Sequence, residues 1–174
     1  TSATKTSNVV DFTGRPWVSK VVAEDTTKIG DCLIVLLCRI FHRRGSGLIE
    51  AKNKKDYFLV VSRLVPYKRV DLAVEACTRL GVKLVVAGKG PELSRLKKMA
   101  GKNAEFVENT SDVKVSKLYS EAKGFIFSAL EDYGITPVEA MAAGLPVICF
   151  NKGGATETVI DGKTGIYQIG RAHV

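Results

Sequence analysis

Between residues 56 and 168, short apolar runs alternate with segments of helical periodicity, and this alternation constrains the fold more than any other feature. The first run, residues 57–62, is continuously apolar and bounded by polar residues, as is typical of a strand buried on both faces. Further strands are predicted at residues 82–87, 104–107, 124–128, 146–150 and 165–168. Strands that alternate with helices in this way are typical of α/β proteins with a doubly wound, Rossmann-like parallel sheet, in which ligands bind at the carboxyl ends of the strands.

The intervening segments carry apolar residues at helical spacing and end at residues that stop helices. The first helix is predicted at residues 70–80, with Gly81 as the C-terminal stop. A second, basic helix ends near residue 100, and a third follows Asp112. The last two are predicted at residues 137–143 and in a short segment over 153–159.

Two carboxylates, Glu131 and Glu139, flank a segment in which a loop is predicted to turn into a helix. Gly134 permits close backbone approach, Thr136 is a candidate N-cap, and a proline follows at the predicted first helical position, which puts Glu139 near the end of the first turn. A helix start directs unpaired N–H groups and a partial positive charge at an anion in front of it. One site could therefore hold a phosphate between two carboxylates that accept hydroxyl groups, which suits a sugar nucleotide.

The chain from residue 57 to about residue 167 resembles the C-terminal, donor-binding domain of the retaining glycosyltransferases of family four, which have the GT-B architecture. The residues that carry the resemblance, in order, are Ser62-Arg63-Leu64…Lys68-Arg69, Val86-Ala-Gly88-Lys-Gly90-Pro91, Glu131…Glu139-Ala-Met-Ala-Ala-Gly-Leu-Pro-Val-Ile148 and Gly153-Gly154…Glu157. The local amino-acid sequence of these motifs is most similar to that of bacterial-type mannosyltransferases of polysaccharide biosynthesis.

The resemblance implies a role for each of these polar residues. Arg63 and Lys68 resemble the pair of cations that hold the donor diphosphate, one as a bidentate fork and the other as a point charge. Glu139 matches the carboxylate that accepts the ribose hydroxyls, and Glu131 matches the catalytic carboxylate that contacts the donor sugar. Alternatives that involve no ligand stay open. Lys68 could be a solvated charge, and both glutamates could be surface residues that the helix dipole favours.

The backbone of the same motifs is expected to contact the nucleotide. Gly88 and Gly90 match a Gly-x-Gly-Pro loop, where missing side chains let the backbone approach the nucleotide, although a Gly-x-Gly taken alone is usually only a turn. Gly134, Ile135 and Thr136 form the predicted helix start.

The resemblance implies the donor half of a retaining glycosyltransferase, which transfers a sugar from a GDP- or UDP-linked donor to a glycan or lipid-linked acceptor. GDP-mannose is the favoured donor, and neither a metal nor another cofactor is expected. The sequence bears on two alternative functions. A nicotinamide-dependent dehydrogenase is disfavoured because the loop after Gly88 and Gly90 lacks the third glycine of the dinucleotide-binding fingerprint. A non-catalytic fragment that binds sugar nucleotides stays open.

Composition limits the partners and the location of the protein. The net charge of +8 fits a protein that handles anionic nucleotides, and it leaves open a peripheral contact with the inner face of an anionic membrane. The lysines are scattered, so nucleic acid is not expected as a partner. The longest apolar stretch, residues 32–41, is too short to span a bilayer. The four cysteines form no C-x-x-C pair and are expected to be reduced thiols in a cytoplasmic protein.

The chain is expected to divide at residues 50 and 168. Residues 51–168 are the predicted nucleotide-sugar-binding domain. Residues 1–50 are too short for a complete acceptor domain and remain unassigned, with a chimeric and a disordered segment as the open interpretations. Residues 169–174 are a suspect non-native tail, because they can be encoded by the start of a common sequencing adapter. We therefore expect the chain by itself to bind nucleotide weakly and to transfer no sugar.

Overall fold

Six strands form where the sequence carries its continuous apolar runs. The computed structural model describes residues 54–168 of the 174-residue chain, and the predicted segments 1–50 and 169–174 lie outside that range. The strands are β1 (Phe58–Val61), β2 (Leu84–Ala87), β3 (Ala104–Val107), β4 (Gly124–Phe127), β5 (Val147–Phe150) and β6 (Gly165–Gln168). Each lies within its predicted segment, and several are one or two residues shorter than predicted.

Within residues 54–168, five α-helices alternate with these strands: α1 (Val70–Leu80), α2 (Leu93–Met99), α3 (Asp112–Glu121), α4 (Ile135–Ala142) and α5 (Ala155–Thr158). Helix α1 ends as predicted at Gly81, which adopts a φ of 65° and donates its N–H to the carbonyls of Cys77 and Thr78. A single 3-10 turn, Pro66–Lys68, precedes α1.

None of the helices within residues 54–168 has the length and apolar character that a membrane span requires.

All the strand pairs are parallel, and the strand order is β3-β2-β1-β4-β5-β6. This order confirms the predicted doubly wound, Rossmann-like sheet. The direction of winding reverses between β1 and β4, the position at which open α/β sheets form their ligand crevice. Strand β1 pairs with β2 along four residues but with β4 only at Phe58 and Leu59. The carboxyl halves of β1 and β4 are therefore not paired with each other, and the loops that follow them border a crevice.

Helices cover both faces of the sheet. On one face, Phe58 and Val60 of β1 pack with buried residues of α1 and α2, such as Val74 and Leu96. On the other face, Leu59 packs in a second cluster with residues from β4, β5, α3, α4 and α5. Successive residues of a strand point to opposite faces, and both faces are buried here. This explains why the strands are continuously apolar rather than alternating.

The two cysteines in the described range are free and fully buried in these layers. Cys77 lies in the cluster under α1, and Cys149 lies in the cluster on the opposite face. Burial raises the pKa of the Cys77 thiol to about 12. Burial, with a smaller contribution from the charge of Asp161, raises the pKa of the Cys149 thiol to about 12. Both thiols therefore stay protonated in the folded protein, as expected for core cysteines.

These raised pKa values predict a loss of stability in alkali. An unfolded thiol ionises near pH 9, whereas the folded thiols retain their protons to about pH 12. The unfolded chain therefore binds fewer protons in this interval, and the free energy of unfolding falls as the pH rises through it. We expect the double variant Cys77→Ala/Cys149→Ala to be less stable at neutral pH but to lose less stability between pH 9 and 12. Urea unfolding across this range measures the difference, and parallel profiles for the two proteins would contradict it.

Candidate functional site

An open cleft of about 710 Å³ lies at the carboxyl edge of the sheet, between the chain that follows β1 and the chain that follows β4. Its walls come from two segments, residues 61–68 and 130–136. The cleft brings together Arg63, Lys68, Glu131 and the start of α4, all of which the sequence predicted as site residues. It does not bring in Gly88, Gly90 or Glu139, which lie outside its lining.

The backbone on both sides of the cleft fixes the position of Lys68. The 3-10 turn ends at Lys68, whose N–H donates to the Val65 carbonyl over 3.1 Å. Arg69 then adopts a left-handed conformation with a φ of 49°, and α1 begins at the next residue. Across the cleft, the Ser128 hydroxyl donates to the Lys68 carbonyl over 3.0 Å. Ser128 directly follows β4, so it ties the end of that strand to the turn after β1.

Lys68 and Glu131 form an ion pair across the cleft. The two side chains are only 16% and 22% exposed, and the ammonium lies 5.1 Å from the centroid of the Tyr67 ring. The alternative interpretation of Lys68 as a solvated charge is therefore wrong. Partial burial strengthens the attraction between the charges relative to a pair in water. The sequence predicted both residues as ligand-binding groups but gave no sign that they bind each other.

Arg63 is exposed, and it makes no ion pair or hydrogen bond through its side chain within residues 54–168. Its neighbour Leu64 is fully buried and donates its N–H to the Lys89 carbonyl over 3.0 Å. This anchor fixes the backbone, while Arg63 itself is exposed and lines the cleft. The five N–H donors of the Arg63 side chain are therefore available to an anion.

Helix α4 begins earlier than predicted. Gly134 is the N-cap with a φ of 73°, no side chain caps the helix, and Ile135 is the first helical residue. The prediction of Thr136 as N-cap is therefore wrong. A proline at the third helical position is tolerated because the N–H of that position has no intrahelical partner in any case. Glu139 consequently lies in the second turn of α4 rather than at the end of the first.

The start of α4 keeps its predicted electrostatic character. The N–H groups of Gly134, Ile135 and Thr136 donate to no acceptor in the described part of the chain, and all three residues line the cleft. These unpaired donors and the positive end of the helix dipole favour an anion in the cleft.

Glu139 is supported from a different layer of the protein. The Tyr119 hydroxyl in α3 donates to Oε2 of Glu139 over 3.0 Å, although Tyr119 itself is only 4% exposed. Burial and, secondarily, this hydrogen bond raise the pKa of Tyr119, so the phenol remains a donor. The sequence analysis did not single out Tyr119 in the helix predicted after Asp112, and it missed the role of the hydroxyl. A tyrosine at a buried helical position was the available signal, because a buried hydroxyl requires a partner.

Gly88 and Gly90 allow two loops to pack closely. A Cβ on Gly88 would lie 1.9 Å from the carbonyl oxygen of Ser62, and a Cβ on Gly90 would lie 2.2 Å from that of Leu64. These contacts give the glycines a structural reason that does not require a ligand. Their predicted contact with a nucleotide stays a prediction.

A second pair of glycines positions the loop that carries Glu131. The Gly154 N–H donates to the Glu131 carbonyl over 2.8 Å. A Cβ on Gly154 would lie 2.0 Å from the carbonyl oxygen of Asp132, and a Cβ on Gly153 would lie 2.5 Å from that of Glu131. The chain after β5 therefore sits directly against the loop after β4. The sequence identified Gly153 and Gly154 as part of a motif but did not predict this contact.

The cleft thus combines an unpaired guanidinium, a lysine paired with a glutamate, and a helix start with free N–H groups. Such a set can bind a polyanion, since the guanidinium, the ammonium and the N–H groups of the helix start can all donate hydrogen bonds to phosphate oxygens. A carboxylate beside the anion can accept hydrogen bonds from hydroxyl groups carried by the same ligand.

The family described as glycosyl transferases group 1 matches residues 48–168, which is most of the chain. The GDP-mannose-dependent alpha-(1-6)-phosphatidylinositol monomannoside mannosyltransferase of Mycobacterium tuberculosis is 38% identical over 138 residues. That match covers 69% of this chain and 36% of the relative, so the chain spans only about a third of the length of this relative.

Two solved structures share the fold. A mutant of TarM from S. aureus, in complex with fondaparinux, alpha-GlcNAc-glycerol and UDP, matches 73% of this chain and 29% of its own, with a TM-score of 0.61 and 23% identity. HepE from Anabaena, in complex with UDP-glucose, matches 70% of this chain and 36% of its own, with a TM-score of 0.60 and 24% identity.

The contact between Gly154 and the loop after β4 predicts the effect of adding a single methyl group. We expect Gly154→Ala to lower the free energy of unfolding by about 1–3 kcal/mol, because the new Cβ overlaps the Asp132 carbonyl. The same variant should shift the backbone amide resonances of residues 131–133 in NMR spectra. Gly144→Ala is the matched control, because Gly144 has a φ of 72° and a Cβ added there would meet no neighbouring atom within 4 Å. It should lose stability through backbone strain alone and leave those resonances in place; an unmoved loop in Gly154→Ala would contradict the assignment.

Proposed function

This chain belongs to the group 1 glycosyl transferases, and from that membership and the geometry of the cleft we propose that it carries the donor-binding half of a retaining glycosyltransferase. The reaction would transfer a sugar from a nucleotide-sugar donor to a glycan or lipid-linked acceptor. The observation that carries this proposal is the convergence of Arg63, Lys68, Glu131 and the start of α4 on one cleft at the switch point of the sheet.

The donor diphosphate would bind to the cations of the cleft. Arg63 can form a bidentate contact with phosphate oxygens, and Lys68, from the same wall of the cleft, can supply a point charge. The free N–H groups at the start of α4 add a third set of donors. The same groups would stabilise the charge that develops on the departing nucleoside diphosphate. We propose that they serve in place of a metal ion.

The ion pair between Lys68 and Glu131 would rearrange when the donor binds. The ammonium has three donors and can contact a phosphate oxygen while it still contacts the carboxylate. Glu131 would then accept hydrogen bonds from the donor sugar, the role proposed for it as the catalytic carboxylate. Without a ligand, each group neutralises the other in a partly buried site.

The nucleoside would lie on the side of the cleft nearer α3 and the loop after β2. Glu139, held by Tyr119, has an exposed carboxylate that can accept the two vicinal hydroxyls of a ribose. The backbone of Gly88 and Gly90 would approach the nucleotide from the loop after β2. In this arrangement the protein acts mainly by positioning and charge stabilisation, and no residue of the chain is proposed as a nucleophile.

GDP-mannose is the proposed donor. The printed name of the mycobacterial relative specifies GDP-mannose, and the similarity to it extends over most of the chain. UDP-glucose is the alternative, since it is the ligand of HepE, which shares the fold. We propose a cytoplasmic location with peripheral membrane contact, because the name of the mycobacterial relative specifies a lipid acceptor.

Removing either cation tests the diphosphate site. We expect Arg63→Ala and Lys68→Ala each to weaken the binding of GDP by about 10–100-fold, because a charge-assisted contact contributes about 1.5–3 kcal/mol, and to leave guanosine binding nearly unchanged. NMR titration suits this measurement because it resolves weak dissociation constants. Arg95→Ala and Lys98→Ala, both on the exposed face of α2, are matched controls that should change neither value. Equal losses for nucleoside and diphosphate would contradict the assignment, and tighter binding of UDP than of GDP would contradict the proposed base.

The two carboxylates should give different profiles. We expect Glu139→Gln to weaken ribonucleotide binding while 2′,3′-dideoxy analogues bind as before, because only the former offer vicinal hydroxyls. Glu131→Gln should leave the affinity for GDP unchanged or higher, since it frees Lys68 from its ion pair. The same variant should bind GDP-mannose more weakly. Glu75→Gln, on the exposed side of α1, is the control for charge alone. Identical or exchanged profiles for the two variants would show that the roles are wrong.

A further inference from the structure

The hydroxyl of Tyr119 is the group in the described range that restrains the side chain of Glu139. It donates to Oε2 of Glu139 over 3.0 Å and lies 3.5 Å from the carbonyl oxygen of Thr136. The single hydroxyl proton favours the nearer and more strongly charged acceptor. No other hydrogen bond or ion pair within residues 54–168 reaches the Glu139 carboxylate.

The tyrosine is itself fixed by its surroundings. Its ring is buried in the cluster between α3, α4 and the sheet, and it packs against Phe125 of β4 with a centroid distance of 5.6 Å. Burial raises the pKa of the phenol, so it stays protonated and can only donate to a carboxylate. Glu139, by contrast, is an exposed residue on a helix, where several rotamers are open to a free glutamate. A rigid donor thus holds one oxygen of a carboxylate that would otherwise be free to change its rotamer.

We infer that Tyr119 is a positioning residue, which orients the Glu139 carboxylate so that its other oxygen faces the ribose hydroxyls of the donor. This inference rests on the proposed role of Glu139. It assigns the recognition of the ribose to two residues from adjacent helices, with the phenol acting only through the carboxylate. The alternative is that the hydroxyl serves only to satisfy its own hydrogen bond in the core. The two roles predict different effects when the hydroxyl is removed. If Tyr119 positions Glu139, the loss of affinity depends on the hydroxyl groups of the ligand's sugar; if the role is only structural, it does not.

Tyr119→Phe removes the hydroxyl and keeps the buried ring. We expect this variant to bind GDP about five-fold more weakly, because Glu139 regains its rotamer freedom, and to bind the 2′,3′-dideoxy analogue as the unsubstituted chain does. The double variant Tyr119→Phe/Glu139→Gln should bind GDP as Glu139→Gln does, since a residue that acts only through Glu139 adds nothing once the carboxylate is gone.

Tyr57→Phe is the matched control. Tyr57 is also buried, and its hydroxyl donates to the carbonyl of Leu118 over 3.0 Å, so the control removes a buried hydroxyl that holds the same helix. Both variants should show a similar fall in the urea midpoint, but only Tyr119→Phe should lose affinity for GDP. A loss in Tyr119→Phe that is equal for the ribose and dideoxy ligands, or that adds to the loss in Glu139→Gln, would show a structural role and overturn the inference.

The outcome for Glu139→Gln separates the inference from the proposal beneath it. If Glu139→Gln shows the ribose-dependent loss and Tyr119→Phe does not, the inference is wrong and the role of Glu139 stands. If Glu139→Gln shows no ribose-dependent loss, or if the unsubstituted chain gives no chemical shift changes with millimolar GDP, the proposed site is wrong and the inference falls with it.

Discussion

The short pairing between β1 and β4 is the constraint on which the rest of this structure depends. These strands meet at Phe58 and Gly124, and a Cβ on Gly124 would lie 3.0 Å from the ring of Phe58. The glycine therefore makes room for the aromatic ring at the centre of the sheet. Backbone pairing stops one residue later, at Leu59. Because the strands are joined at their starts but not at their ends, the loops after them border one cleft, and the residues of both loops can act on one ligand.

Three loops hold each other in place around this cleft, and backbone carbonyls accept the hydrogen bonds that join them. Ser128, after β4, donates to the backbone of Lys68, and Gly154, after β5, donates to the backbone of Glu131. The side chains of Lys68 and Glu131 then close the arrangement through their ion pair. The backbone positions of Lys68 and Glu131 are thus fixed by contacts within the protein, while the ion pair between their side chains would rearrange when the proposed donor binds. Preorganisation of this kind reduces the entropy that binding would otherwise cost.

The fold was predictable from the sequence because its signals are local and strong. Continuous apolar runs such as residues 57–62 identified the buried strands, and Gly81 identified the end of α1. The site was predicted as a set of residues, but its contacts were not. The ion pair of Lys68 joins residues far apart in the sequence, and no spacing rule predicts which of several nearby partners a lysine will contact. The error at Thr136 has a local cause: Gly134 was expected only to permit close backbone approach, whereas it adopts a left-handed conformation and is itself the N-cap.

The two carboxylates of the motif are alike in sequence and different in environment. Glu131 faces an ammonium, so its charge is balanced and its binding properties depend on what Lys68 contacts. Glu139 accepts a hydrogen bond from a neutral phenol, which restrains its orientation without supplying an opposite charge. A carboxylate paired with a cation can exist beside a bound diphosphate with little repulsion, whereas an unpaired carboxylate is better placed farther from it. Helix α4 provides this separation, because Glu139 lies in its second turn and outside the cleft while the helix start faces the cleft. The roles proposed for the two glutamates would therefore be divided between the loop after β4, which carries Glu131, and helix α4, which carries Glu139.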